Sequence, residues 1–408
     1  MTETLRRFIR EHAEDDLSEL LLSASRYREV DMKMAVGQIK ARMRIKDKLP
    51  SWYGNDRLFY PSILATEQCS SELTALYKQQ LVQAKDILCD LTGGLGVDTY
   101  FFSRKVEAVV YVERDEVYCD AARYNMGLLG ASNVCVINGD AVDLIIKNDE
   151  RIAGVNVFYL DPARRGVGNR RMFAISDCEP DLNQIRPLLW ERYKVIVKLS
   201  PMLDITQVLN QIPEVCEIHV LSVKNDCKEL LIITEGLPTE SRLADLSDRV
   251  LDPVIVCVNY TADEEKQDFY FRLSDEHSAT VRFAGDTSRY LYEPNSSILK
   301  AGAYKSVALQ YGVKKLHVSS HLYTSDHLIS SFPGRAFEIT EVIPFSNRIC
   351  KTLFSEIPQA NISVRNFPIP ADELHKRMRI VDGGNIYLFA TTLSDNKKVL
   401  IKCCKVYH

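Results

Sequence analysis

Apolar positions recur along this chain in two rhythms, and the switch between them divides it. Over residues 1 to about 80 the recurrence is helical. Met32, Ala35, Val36, Ile39 and Met43 step by three and four, as one apolar helix face does. Leu49-Pro50-Ser51-Trp52 breaks that register. A second helix is predicted from about Thr66 to Val82, with Leu73, Leu76, Tyr77 and Leu81 along its apolar side. From Asp86 short apolar runs take over, at residues 87–89, 108–112, 134–137, 155–160 and 195–199. Helical stretches lie between them, notably 116–129 and 181–192. Strands alternating with helices predict a parallel sheet with right-handed crossovers. Residues 217–223 and 229–234, joined by Lys224-Asn225-Asp226-Cys227-Lys228, suit an antiparallel hairpin at the sheet edge. A polar connector follows at 236–247. Beyond it strands (254–258, 269–273, 337–343, 362–365, 386–391, 398–403) mix with helices (297–310, 371–379). Three parts are therefore expected: a helical region at 1–80, an α/β core at 81–238 and an α+β domain at 239–408.

Composition narrows the function classes. With 408 residues, 46% hydrophobic and 26% charged, the chain has ample apolar mass for more than one core. No apolar run approaches the about 18 residues that a membrane span needs. The charged stretch from Met1 to Asp16 lacks an apolar signal core, so a cytoplasmic protein without membrane contact is expected. The 51 basic and 55 acidic residues give a net charge of −4, which excludes a basic nucleic-acid coat. Any nucleic-acid binding must then come from a local patch. Eleven cysteines occur without a C-x-x-C pair, which reads as free buried thiols in a reducing compartment. His317, His321 and His327 have only Asp326 as an acidic companion, and polar histidines on a surface strand account for them; no metal is expected. The G-x-S-x-G elbow and the Walker G-x-x-x-x-G-K are absent.

The densest chemistry lies in Asp86-Ile87-Leu88-Cys89-Asp90-Leu91-Thr92-Gly93-Gly94-Leu95-Gly96-Val97-Asp98. A buried strand ends in an acid, enters a glycine-rich turn and opens a helix, a place where backbone can approach a ligand closely. The dinucleotide pattern G-x-G-x-x-G fits badly, because Thr99 stands where its third glycine belongs. An acid at Asp90 would also repel a pyrophosphate and suits a cationic ligand. The next strand ends in Glu113, placed to accept from ribose hydroxyls, followed by Arg114. A third ends in Asn138-Gly139-Asp140-Ala141, with Asp140 placed to accept from an adenine amino group.

Together, Asp90 to Gly96, Glu113, Gly139-Asp140-Ala141 and the later Asp161-Pro162 resemble class I S-adenosylmethionine-dependent methyltransferases. The resemblance covers about residues 60 to 235 and implies a seven-stranded Rossmann-like core. Thr92 replaces the first glycine of that family's D-x-G-x-G-x-G. The resemblance implies that Asp90, Thr92, Gly93, Gly94, Gly96 and Asp98 cradle the methionine end of S-adenosyl-L-methionine. It places Glu113 at the ribose and Asp140 at the adenine, with Arg114 and Ala141 beside them as further cofactor-binding positions. Gln68 and Ser71 are expected either as lid contacts over the cofactor or as ordinary helix caps.

Asp161-Pro162-Ala163-Arg164 occupies the place of the family's [Asp/Asn]-Pro-Pro-[Tyr/Phe], without its stacking aromatic. Asp161, Pro162, Arg164 and Lys198 are the expected catalytic positions, with Lys198 stabilising Asp161, orienting substrate or simply exposed. Arg164, Arg165, Arg170 and Arg171, with Phe173 nearby, form a basic loop suited to phosphate and base contacts. Two further basic stretches, Lys40 to Lys48 and Lys376-Arg377-Met378-Arg379, read as solvated helix surface or as RNA contacts. Tyr292-Glu293-Pro294-Asn295-Ser296 and Tyr323-Thr324-Ser325-Asp326 resemble a bacterial group with a C-terminal THUMP-like domain, which implies an RNA partner, tRNA or rRNA. A small-molecule or protein methyltransferase, and a non-catalytic cofactor-binding RNA module, are the alternatives. The oligomeric state is left open.

Overall fold

The computed structural model describes residues 1–164, 178–236, 252–346, 348–349 and 357–406. The chain forms two compact units, one of Met1–Val215 with Leu231–Val250 and one of Cys216–Leu230 with Leu251–His408.

In the first unit the N-terminal helices are α1 (Glu3–Glu11), α2 (Leu17–Leu22), α3 (Met32–Ile45), α4 (Pro50–Tyr53), α5 (Ile63–Gln68) and α6 (Glu72–Gln80). In α3, Met32, Ala35, Val36 and Ile39 are buried as the spacing predicts, but Met43 is 57% exposed and Ala41 and Ile45 take the inner face instead. The single helix expected from Thr66 is two. Ser71 ends the first by capping the second, its hydroxyl accepting from the Thr74 N–H. The buried side of α6 is also rotated: Thr74, Ala75, Tyr77 and Lys78 are inside, while Leu73, Leu76 and Leu81 are half-buried.

The core strands are β1 (Ile87–Asp90), β2 (Ala108–Glu113), β3 (Val134–Asn138), β4 (Val157–Leu160) and, after the two-residue strands β5 (Ala163–Arg164) and β6 (Cys178–Glu179), β7 (Lys194–Leu199). They lie in the order β3-β2-β1-β4-β7, every neighbouring pair parallel. Helices α7 (Val97–Ser103), α8 (Glu116–Leu129), α9 (Ala141–Ile146), α10 (Leu182–Leu189) and α11 (Ile205–Gln211) connect them. The alternating pattern thus yields the expected doubly wound α/β core, whose strand ends point their carboxyl sides toward one edge. Trp52, Leu58, Tyr60 and Ala65 of the helical region pack with Leu95, Val97 and Phe101 of the glycine turn and α7. The N-terminal helices therefore share one hydrophobic core with the segment that opens the site.

The second unit begins with β8 (Glu217–Val223), which turns through Lys224 and Asn225 into β9 (Asp226–Thr234), whose residues from Leu231 onward belong to the first unit. Both turn residues have positive φ, 52° and 61°, the backbone of a two-residue hairpin turn. The loop is shorter than the sequence suggests because Asp226 to Lys228 already belong to the strand. β10 (Val254–Tyr260) runs parallel to β8 and antiparallel to β11 (Lys266–Arg272). A further sheet holds β12 (Tyr290–Pro294), β13 (Lys314–Lys315), β14 (Tyr323–Ser325), β15 (Gly334–Pro344), β16 (Asn361–Arg365), β17 (Ile386–Thr392) and β18 (Lys398–Lys405) in the order β13-β14-β12-β15-β18-β17-β16. The helix expected over 297–310 breaks at Gly302, which caps α12 (Ser296–Ala301) in the left-handed conformation.

The ten described cysteines are free thiols, two of them (Cys135 and Cys404) exposed rather than buried. His321 lies on a loop instead of a strand and stacks on Tyr304 at 3.6 Å. Among the described residues no three metal-ligating side chains come together, and no helix is long and apolar enough to cross a membrane.

Candidate active site

The carboxyl ends of β1, β2 and β4 border a cleft of ≈ 230 Å³. It is lined by Asp90, Thr92, Gly93, Gly94, Gly96, Asp98, Glu113 and Asp161 of the predicted set. Gln68, Ser70, Tyr118, Tyr159 and Ala163 line it as well. Arg114, Asp140, Ala141, Pro162 and Lys198 lie outside that lining; Arg114 and Pro162 follow lining residues in sequence, and Lys198 pairs with one, Asp161.

The glycine turn is held from several sides. The Asp90 carboxylate accepts from the Thr92 N–H at 3.0 Å and from the Thr99 hydroxyl at 2.6 Å, tying strand end, turn and helix together. Glu113 accepts from the Gly94 N–H at 3.1 Å and from the Asp115 N–H at 3.0 Å. The buried Tyr111 hydroxyl donates to the Gly94 carbonyl at 2.6 Å. A Cβ on Gly93 would stand 2.2 Å from the Tyr111 ring, so this glycine is required by packing beneath the turn. Gly96, at φ +82°, opens α7 in a conformation costly for other residues. Gly93→Ala is expected to lower stability by about 1–3 kcal/mol, as over-packing does. Gly127→Ala, at an exposed position of α8 with nothing within 4 Å, is expected to hold or raise it by up to about 1 kcal/mol. Thermal unfolding of both variants checks the contrast.

Two buried acids differ sharply. Burial pushes the Asp90 carboxyl up to about 7, against the lowering by its Thr99 and Thr92 hydrogen bonds. Burial also acts on Asp98, but Lys78, Lys198 and the hydrogen bonds from Lys78 and Ser70 outweigh it and hold that carboxyl below its ordinary range. Asp98 pairs with the Lys78 ammonium at 2.9 Å and accepts from Ser70 at 2.7 Å and Tyr159 at 2.8 Å. Lys78, with no exposed side-chain surface, also donates to Ser70 at 2.6 Å. Asp98 is thus engaged by α6, by the α5–α6 junction and by β4.

At the β4 tip the Asp161 N–H donates to the Thr92 hydroxyl at 2.6 Å, and the Asp161 carboxylate pairs with Lys198 of β7. Burial raises the Asp161 carboxyl, and Lys198 opposes the rise. Asp140 caps α9, accepting from the Val142 and Asp143 N–H groups, and one of its oxygens lies 3.8 Å from Arg114. Arg114 pairs more closely with Glu179, at 2.7 Å. Ser71 serves as a helix cap, while Gln68 reaches the cleft.

The basic stretches divide. Arg42 donates to the Tyr53 and Asn55 carbonyls, Lys48 to those of Thr66 and Glu67, and Arg44 pairs with Glu67. That run braces the helical region. Arg377 pairs with Glu373, and Arg379 is the left-handed cap of helix Ala371–Met378. The side chain of Arg164, and Arg165, Arg170, Arg171 and Phe173, lie outside the described residues. Tyr111, Lys78, Ser70, Tyr118 and Tyr159 were not anticipated from the sequence.

A family model of a ferredoxin-like domain matches residues 290–333, and one of a THUMP domain-like region matches 334–405. No curated protein matches the chain. Among solved structures, a "putative methyltransferase" from Porphyromonas gingivalis W83 is similar at TM-score 0.85 and 34% identity, over 99% of this chain and 98% of that one. An rRNA methylase from Streptococcus thermophilus is 16% identical over 41% of this chain and 95% of its own, at TM-score 0.29. A Streptococcus mutans "putative methyltransferase" in complex with SAH is 17% identical over 41% of this chain and 97% of its own, at the same TM-score. The match to the Porphyromonas protein spans both units, and by it the chain belongs to the bacterial class I S-adenosylmethionine-dependent methyltransferases with a C-terminal THUMP-like domain.

Proposed function

We propose that the protein transfers a methyl group from S-adenosyl-L-methionine to RNA, with the cleft at the tips of β1, β2 and β4 as the site. The observation that carries this reading is the convergence of the Asp90, Glu113 and Asp161 carboxylates on a turn with Gly94 and Gly96 at positive φ. That set of acceptors fits a cationic nucleoside bearing hydroxyls, and its negative charge repels a pyrophosphate. The cofactor, when bound, supplies a methyl group activated on a sulfonium. The chain's own work is then alignment and charge. Glu113 spends one hydrogen bond per oxygen on the backbone, so both oxygens keep lone pairs for hydroxyls. Asp90 supplies negative charge once ionised. Asp98, at the cleft wall, anchors the first turn of α7 through Lys78, Ser70 and Tyr159, and Lys198 holds Asp161 at the edge where an acceptor enters. The THUMP-like region supports RNA as the acceptor.

Calorimetry with S-adenosylhomocysteine tests the cofactor. Micromolar binding is expected, weakened roughly 10- to 100-fold in Glu113→Ala, the loss of a hydrogen bond to a charged group. Absence of binding counts against the reading. Mass spectrometry of nucleosides from cells with and without the protein tests the acceptor, and identical profiles would remove RNA from it.

A further inference from the structure

A hollow of ≈ 470 Å³ lies on the helical region, away from the cleft lining. Its walls come from two segments, α1 and the turn from Ser25 to Val30. Arg7 projects from the first, Arg26 and Arg28 from the second, and all three are exposed. None is within ion-pair distance of a carboxylate among the described residues, unlike their neighbours Arg6 with Glu3 and Arg10 with Asp56. Between them sits an aromatic cluster. Phe8 lies 4.2 Å from His12 and 4.9 Å from Tyr27, centroid to centroid. His12 is tied to Asp15 at 2.6 Å. Glu11 and Glu29 also line the hollow, so it is cationic by one charge with His12 neutral.

Three exposed guanidiniums round one hollow outnumber its two carboxylates, which leaves positive charge open to an anion. Guanidinium forks match phosphate oxygens, and a half-buried Tyr27 and His12 offer ring surface to a base. The chain as a whole, at −4, does not attract a polyanion, so a local device of this kind is needed. The Lys40 to Lys48 run does not supply it, because Arg42, Arg44 and Lys48 are committed to structure. We infer that Arg7, Arg26 and Arg28 form a docking site for the RNA backbone on the N-terminal helical region, with Tyr27 and His12 facing an unpaired base. This rests on the reading of RNA as the acceptor.

The test is fluorescence anisotropy of the full chain with a labelled mixed-sequence single-stranded oligoribonucleotide and with a tRNA pool, at several salt concentrations. The triple variant R7Q/R26Q/R28Q should bind at least tenfold more weakly. Its salt slope should be shallower by about 2, because each phosphate contact on a single strand contributes roughly 0.7. Arg123→Gln, an exposed arginine paired with Asp120, should bind like the parent. Tyr27→Leu should weaken the oligoribonucleotide without changing the slope. Unchanged affinity and slope in the triple variant overturn the docking site while leaving the RNA reading intact. A parent protein that binds neither RNA overturns both. S-adenosylhomocysteine calorimetry on the same variants should be unaffected, and single variants replace the triple one if its melting temperature falls.

Discussion

Lys78→Met should cost the first unit about 3–5 kcal/mol, the penalty for leaving one member of a buried ion pair without the other. Methionine fills much the same space on α6, so the loss is electrical. The Asp98 carboxylate keeps its bonds from Ser70 and Tyr159 but loses the ammonium 2.9 Å away. Both tryptophans, Trp52 and Trp190, are buried within this unit, so intrinsic fluorescence during denaturant unfolding reports on it selectively. The double variant Lys78→Met with Asp98→Asn should recover part of the loss, since no uncompensated charge then stays buried. The pH dependence has a definite sign. In the parent the depressed Asp98 carboxyl contributes stability above the unfolded carboxyl's pKa, about 4, and that contribution is lost as pH falls through the lower native value. With methionine at 78, burial acts without its main counterweight, the carboxyl rises, and the variant weakens as pH climbs. The gap between the two proteins therefore widens from about pH 4 toward neutrality. Equal stabilities at pH 7.5 would show that the pair does not hold the α6–α7 junction.

That pair also marks where sequence reasoning stops. Strand ends at Asp90, Glu113 and Asp161 were legible because short apolar runs have few registers and the acid that ends each is visible. Helix α8 was legible from residue 116 to 129 because Asp115 caps it and Gly130 ends it. The face of α6 was not. Leucines at 73, 76 and 81 marked an apolar side, yet the helix turns Lys78 inward because Asp98 waits there, and that partner is set by tertiary structure. The role of Gly93 was equally hidden. A glycine-rich turn reads as room for a ligand, whereas the space at Gly93 is filled by the Tyr111 ring. The site was thus readable as a list of positions, and the structure separates those lining the cleft from those, such as Asp140 and Arg114, engaged outside it.

Asp90→Asn should bind S-adenosylmethionine much more weakly than the parent and yet be no less stable at pH 8. Both effects have one cause. Burial lifts the Asp90 carboxyl to about 7, so the native protein holds this proton more tightly than the unfolded chain does. Stability therefore declines as pH rises from about 4 to about 7, and the penalty is complete above that. Asparagine carries no charge and removes the decline. Its carbonyl can accept from the Thr92 N–H, and the Thr99 hydroxyl can turn to accept from its amide. Melting temperature against pH should accordingly be flatter in the variant between pH 5 and 8. The strain of the ionised carboxylate is relieved when a cation arrives, so binding of the sulfonium cofactor to the parent should release a proton near pH 6.5, measurable by calorimetry in buffers of different ionisation enthalpy. The neutral thioether S-adenosylhomocysteine provides the comparison. The variant should lose tenfold or more for the sulfonium, at least several times its loss for the thioether, and should release no proton. Equal losses for the two compounds would mean that Asp90 serves the site only by holding the turn.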